Sequence, residues 1–332
     1  TSCLTLEDDV VEELSTVSSL DSTGNSGPTP DSTSPGAGPV QEWLFYDKSD
    51  GLAEDTITTM MKDSRNYYWF GHFSKGITRW DGADEFIYIS SAEGLSDNYI
   101  FRIVEAPNGE VWVATASGYD IIDDSSVVES NFFNTTFTDI IFPEEGTVWL
   151  GSQVGIYVFS DEGDSIIRDS ECSLCFSSLR LRVDRNNNIW ASSSEDLRRY
   201  NASDGYNVDM RYFFSSREGV SFPPLVIEIF EDDLGNVYGG SLYGEFNTFL
   251  LSEGEPAFFD FGAASIAGVS AIRTYDNKLW VGTRGSGVIQ TDGITLSQLF
   301  NELPSTIVLD LLNDGPSIWI ATFKGVAKYT AP

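Results

Sequence analysis

The chain has 332 residues, 41% hydrophobic and 13% aromatic, enough to core two average domains or one large all-β domain. Its formal net charge of −32, from 51 acidic and 19 basic residues, repels nucleic acid and anionic lipid and favours a soluble monomer. No apolar run approaches the ~18 residues of a membrane-spanning helix, so membrane contact is expected only through a lipid anchor.

That anchor is expected at Cys3. Thr1 and Ser2 before it, and the acidic Glu7-Asp8-Asp9 and a long polar tract after it, resemble the end of a bacterial lipoprotein signal. A free cysteine in a disordered tail is the alternative. Residues 1–40 form one compositional zone, rich in Ser, Thr, Gly and Pro, and are expected to be a flexible tether spanning roughly 35 Å. The second zone, 41–332, is expected to be a single folded domain in the bacterial envelope, periplasmic or surface-exposed.

From Gln41 onward the chain repeats. The anchors Trp69, Trp112, Trp149, Trp190, Tyr238, Trp280 and Trp319 stand 43, 37, 41, 48, 42 and 39 residues apart. Two residues after each lies a small residue: Gly71, Ala114, Gly151, Ser192, Gly240, Gly282 and Ala321. The next position holds His72, Thr115, Ser152, Ser193, Ser241, Thr283 and Thr322, a belt of hydrogen-bonding groups. A turn residue follows, from Gly76 and Gly118 through to Gly325, with Asp196 in the fourth repeat. Asp, Asn and Gly clusters before each anchor read as tight turns. Upstream of those turns lie apolar strands: 57–61, 100–104, 137–142, 179–183, 225–230, 269–272 and 307–312. Seven such periods predict an all-β fold, a seven-bladed β-propeller of four-stranded antiparallel blades. The last repeat stops three strands in, so Glu42–Tyr46 is predicted to supply its outer strand and close the ring.

The runs Leu279-Trp280-Val281-Gly282-Thr283, Val148-Trp149-Leu150-Gly151-Ser152 and Ile318-Trp319-Ile320-Ala321-Thr322 resemble the two-component regulator propeller repeat. Gly94-Leu95-Ser96-Asp97-Asn98 and, less closely, Gly51-Leu52-Ala53-Glu54-Asp55 are similar to that family's Gly-Leu loop. The resemblance covers residues 42–330. It implies a sensing propeller, often responsive to glycan fragments, here in a stand-alone lipoprotein form.

Loops before the inner strand and after the anchor strand are expected to open on one face. The candidate ligand-binding residues there are His72, Lys75, Tyr99, Phe133, Tyr243, Arg284, Phe323 and Lys324. Aromatics with scattered cations suit a small molecule or glycan, an acidic sugar in particular. Solvated loop decoration is the plain alternative, and a belt hydrogen bond is the preferred role of His72, the single histidine. Cys172 and Cys175 are expected to form a local disulfide; zinc lacks two further ligands and a redox motif lacks its helix. Asp123-Asp124 and Asp232-Asp233 are read as turn formers or weak calcium contacts. No metal, cofactor or catalytic constellation is expected. A protein-interaction scaffold is the second functional expectation, and a lyase-type enzyme using His72, Lys75 and Glu195 the third.

Overall fold

The computed structural model describes residues 42–331 except 134, 162, 168–179, 194–195, 214–225, 242–247, 252–256, 259–267, 293–294 and 300. The expected tether, Cys3, Cys172, Cys175, Tyr243 and Glu195 lie outside the described residues.

Seven four-stranded antiparallel sheets account for the strands. Blade 1 runs Ile57–Lys62, Tyr68–His72, Ile77–Trp80 and Phe86–Ile89, from the inner strand outward. The inner strands of blades 2 to 7 are Ile100–Glu105, Phe137–Glu144, Arg180–Val183, Val226–Glu231, Val269–Tyr275 and Val308–Asp314. Each inner strand packs on the next, and the seventh on the first, so the sheets form a closed ring.

Closure occurs where the sequence predicts it. Glu42–Tyr46 is the outer strand of blade 7, with Glu42 opposite Thr330 and Tyr46 opposite Val326. Tyr46 then lies against Trp319 and Trp80, at ring separations of 5.4 and 5.2 Å. Pairing the two ends of the propeller removes the open edge at the seam.

Small residues follow the anchors because neighbouring blades crowd there. A Cβ on Gly71 would stand 2.8 Å from Ile100 Cγ2, and one on Gly282 2.7 Å from Val308 Cγ1. Both contacts are with the inner strand of the next blade. The anchors fill the wider space further out: Trp69, Trp149, Trp190, Trp280 and Trp319 are 0–4% exposed. The belt closes the following turn, as in Ser152 Oγ to Gly155 O (2.7 Å) and Thr322 Oγ1 to Gly325 O (2.7 Å).

The two departures from the repeat carry local substitutes. Tyr238 donates its hydroxyl to Asp232 Oδ2 at 3.0 Å, the bond that Trp69 makes to Asp63 and Trp190 to Asp184, each at 3.0 Å. Asp196, in the place of a turn glycine, is fully buried and ion-paired with Arg198 and Arg211.

Candidate functional site

Six inner strands share an irregularity. The register with the anchor strand slips after the first residue, between Ile57 and Thr59, Ile100 and Arg102, Phe137 and Asp139, Val226 and Glu228, Val269 and Ala271, and Val308 and Asp310. A bulge bends the strand and re-aims the next side chain. The residue after the bulge lies opposite the small residue that follows the anchor, and in blade 4 Arg180, opposite Ser192, holds that place. Around the ring the position reads Thr59, Arg102, Asp139, Arg180, Glu228, Ala271 and Asp310. Two residues further along the strand, blades 4 and 6 add Arg182 and Arg273.

These groups link successive blades. Asp139 accepts from Leu181 N at 2.9 Å and lies 3.3 Å from Arg102 Nε. Arg180 and Arg273 approach Glu228 from either side, at 3.5 and 2.6 Å. Arg273 also stands 3.6 Å from Asp310, which accepts from Met60 N at 2.9 Å across the seam. The Nε atoms of Arg102 and Arg180 have no aligned acceptor, so those two pairs are held by charge more than by hydrogen-bond geometry.

Seven charges in so small a region perturb one another. Burial opposes the Glu228 carboxylate, but Arg273, Arg180, Arg182 and Arg102 together hold its pKa below the usual range. Burial likewise opposes the Arg102 guanidinium, which Asp139, Asp310 and Glu228 more than offset. Arg182 differs. Burial, with Arg273 and Arg102 nearby, brings its pKa down to about 10 against the pull of Glu228 and Asp139. It has no hydrogen bond or ion pair among the described residues. With Arg102, Asp139, Glu105, Ala106 and Pro107, it lines a recess of about 400 Å³.

The loop face expected from the sequence exists. Phe73 N bonds Thr56 O at 3.4 Å, Ala116 N bonds Tyr99 O at 3.2 Å, and Phe323 N bonds Ile307 O at 3.1 Å, which tie each post-anchor turn to the approach of its own inner strand. The candidate residues divide on that face. Lys75 and Lys324 are exposed, while Tyr99, Arg284 and Phe323 are half-buried. Tyr99 stacks between Phe73 and Phe101, at 4.7 and 4.4 Å. Phe133 instead packs with Tyr119, Phe137 and Tyr157, at 5.8, 5.3 and 5.6 Å, as part of the blade 2–3 core.

His72 is fully buried, its Nε2 2.8 Å from Thr78 Oγ1, and its Nδ1 has no aligned partner. Burial brings its pKa down to about 4. It therefore occupies the belt position as a neutral ring sealed from solvent, a poor place for a proton-transfer group facing a ligand. Asp232 spends its carboxylate on Leu234 N, Asn236 N and the Tyr238 hydroxyl, at 2.9, 2.8 and 3.0 Å. Among the described residues no group of three or more His, Cys, Asp or Glu is placed to hold a metal.

The axial ring was not singled out from the sequence, although a signal for it exists. Arg102, Asp139, Glu228 and Asp310 each interrupt an apolar inner strand at the same place, as in Ile100-Phe101-Arg102 and Val308-Leu309-Asp310. Charges recurring at one register of strands that are otherwise buried call for a shared polar axis.

Residues 94–117, which span the Gly-Leu loop, the inner strand and the anchor strand of blade 2, match the sequence profile of the family described as Two component regulator propeller. No curated protein matches the chain in sequence. Among solved structures it is similar to the extracellular domain assigned to a hybrid two component system of B. thetaiotaomicron, with a TM-score of 0.71 at 18% identity. The match covers 87% of this chain and 40% of that one, so the chain spans about two fifths of that relative's length. It is also similar to virginiamycin B lyase from Staphylococcus aureus, with a TM-score of 0.72 at 14% identity, covering 88% and 99% of the two chains. PorZ, a surface component of the type-IX secretion system of Porphyromonas gingivalis, gives a TM-score of 0.67 at 16% identity over 86% of this chain and 48% of that one. At these identities the structures establish the shared β-propeller fold. The matched repeat lies in blade 2, and the same strand plan recurs in all seven blades, so the chain is a β-propeller with a two component regulator propeller repeat in its second blade.

Proposed function

We propose that this propeller is a ligand-recognition module of the bacterial cell envelope, sensor-like in role, which takes an anionic small molecule or acidic glycan fragment at its axis. The observation that carries this reading is Arg182. A guanidinium partly withdrawn from water is costly unless paired. This side chain has no hydrogen bond or ion pair among the described residues, with Arg273 and Arg102 nearby and Glu228 and Asp139 acting on it only from beyond ion-pair distance. The axial groups comprise four arginines against three carboxylates, a local excess of one positive charge in a chain of net −32. A carboxylate or sulfate would complete the set with bidentate hydrogen bonds. Periplasmic or surface exposure belongs to the same proposal, supported by the extracellular placement of the B. thetaiotaomicron domain. So do tethering at Cys3, supported by the residues around it, and a monomeric state, supported by the net charge of −32. The loop-face cations Lys75 and Lys324 and the half-buried Arg284, Tyr99 and Phe323 are retained as a second contact region for a longer glycan; Tyr243 falls outside the described residues.

Calorimetric titration with uronic-acid oligosaccharides and with neutral oligosaccharides of equal length tests the proposal. Acidic fragments are expected to bind and Arg182→Met to weaken them at least tenfold, with the melting temperature of the free protein held. Equal binding of neutral fragments, or acidic binding indifferent to Arg182→Met, would overturn it.

A further inference from the structure

A second feature stands apart from the axis. Blade 2 is the one place where an anchor tryptophan is left partly open: Trp112 is half-buried, whereas the other five anchor tryptophans are 0–4% exposed. The turn before it also departs from the plan of blades 1, 4 and 5, six residues upstream. In blades 1, 4 and 5 that position is Asp63, Asp184 and Asp232, and each carboxylate accepts from two turn amides and from its anchor's polar hydrogen. In blade 2 it is Ala106, and in blade 3 Pro143. Trp112 Nε1 and Trp149 Nε1 accordingly have no acceptor, and no aspartate clasps the turns beside them, but only the Trp112 ring is left partly open.

Between blades 2 and 3 this leaves a cleft of about 720 Å³. Trp112, Phe142 and Phe159 form its aromatic wall, with Trp112 edge-on to Phe142 at 5.6 Å. Glu110, Glu144, Glu145 and Asp164 stand around it, and no lysine or arginine is among the lining residues. Glu144, Glu145 and Asp164 are exposed and carry no hydrogen bond or ion pair among the described residues. Aromatic faces attract cations, most strongly on tryptophan, and unpaired carboxylates complement the same charge.

We infer that the cleft between blades 2 and 3 is a docking site for a basic, extended peptide segment of a partner protein. Lysine or arginine stems lie along Trp112 and Phe142, and their charged ends reach Glu144, Glu145 and Asp164. This inference does not depend on the anionic ligand proposed for the axis, since the two sites have opposite charge and no residue beyond the shared Ala106-Pro107 turn and Phe142 in common.

The probe is a fluorescently labelled pentapeptide with two lysines flanking a leucine, measured by anisotropy beside a twin carrying two glutamates. The lysine peptide is expected to bind and the glutamate twin not to. The triple variant Glu144→Gln, Glu145→Gln, Asp164→Asn is expected to weaken binding at least tenfold, and Trp112→Ala by a similar factor. The triple variant changes exposed side chains only, so it keeps the inference testable if Trp112→Ala fails to fold. A control triple, Asp84→Asn, Glu85→Gln, Glu93→Gln on blade 1, and Arg182→Met are both expected to leave the affinity unchanged. Equal losses in the two triple variants would mean attraction to the net charge alone and would overturn the inference. So would binding of a neutral oligosaccharide that Trp112→Ala abolishes and the Glu144/Glu145/Asp164 variant does not.

Discussion

Acidification from pH 7 to pH 5 is expected to destabilise the propeller chiefly through His72. Its ring is fully buried, and burial lowers its pKa from 6.5 to about 4 against the weaker pull of the Thr56 and Glu54 carbonyls. A histidine with a lowered folded-state pKa binds its proton more readily when unfolded. Stability is therefore full above pH 6.5 and falls as pH drops through the window down to about 4. At pH 5 the linkage amounts to about 2 kcal/mol, approaching about 3 kcal/mol below pH 4. Other groups titrate nearby: Asp120, raised chiefly by burial, gains stability on acidification, whereas the lowered carboxyls of Glu228 and Asp314 lose it. The comparison that isolates His72 is therefore wild type against His72→Thr, which restores the side chain found at Thr115, Thr283 and Thr322. Urea unfolding followed by tryptophan fluorescence at pH 7 and pH 5 reads the difference. Whatever the variant's absolute stability, its loss between the two pH values should be about 2 kcal/mol smaller than that of wild type. Equal losses in the two proteins would refute the argument, because His72 would then not be buried neutral.

Three further outcomes follow from packing and hydrogen bonding. Gly282→Ala places a Cβ 2.7 Å from Val308 Cγ1, and overpacking at the axis should cost about 1–3 kcal/mol in chemical denaturation. Gly325→Ala combines a φ of 104° with a Cβ 2.6 Å from the Tyr46 carbonyl, so it should loosen the seam by at least about 2 kcal/mol and speed hydrogen exchange in Glu42–Tyr46. Asp63→Ala removes the acceptor of Arg65 N, Tyr67 N and Trp69 Nε1, at 3.0, 2.8 and 3.0 Å; a loss of about 2–4 kcal/mol with altered tryptophan emission is expected.

The blade plan was legible in the sequence because it is written seven times, and each period restates the same physical demand. The tryptophan, the small residue and the hydroxyl recur at fixed offsets since every blade meets its neighbour in the same way, and closure by Glu42–Tyr46 followed from counting strands. The candidate site was less legible for the opposite reason. His72 takes the belt hydrogen bond preferred for it, to Thr78. Spacing places Phe133 at the loop face but does not show on which side of a strand-end a ring packs, and that ring turns inward to Tyr157. Lys75 and Lys324 project where expected because a two-residue tip leaves a long cation no interior to enter. The axial ring escaped a repeat-based reading because its members differ from blade to blade, although their register does not.

That difference from blade to blade bears on function. Joining adjacent inner strands needs no charge: Thr58 Oγ1 bonds Ile100 O at 2.6 Å between blades 1 and 2, and Ser270 Oγ bonds Val308 O at 2.6 Å between blades 6 and 7. Neutral hydroxyls therefore suffice for the stitching that closure requires. Blades 2 to 7 nevertheless place seven ionised groups at the axis, and buried ion pairs contribute little net stability over apolar residues of similar size. Two of the seven, Asp139 and Asp310, are committed to the amides of Leu181 and Met60 and act as structural bridges. Glu228 is shared between Arg180 and Arg273, which leaves Arg182 as the one charge whose burial no described protein group offsets by contact. A structural account covers six of the axial charges, and the seventh is the one for which a ligand supplies a physical reason.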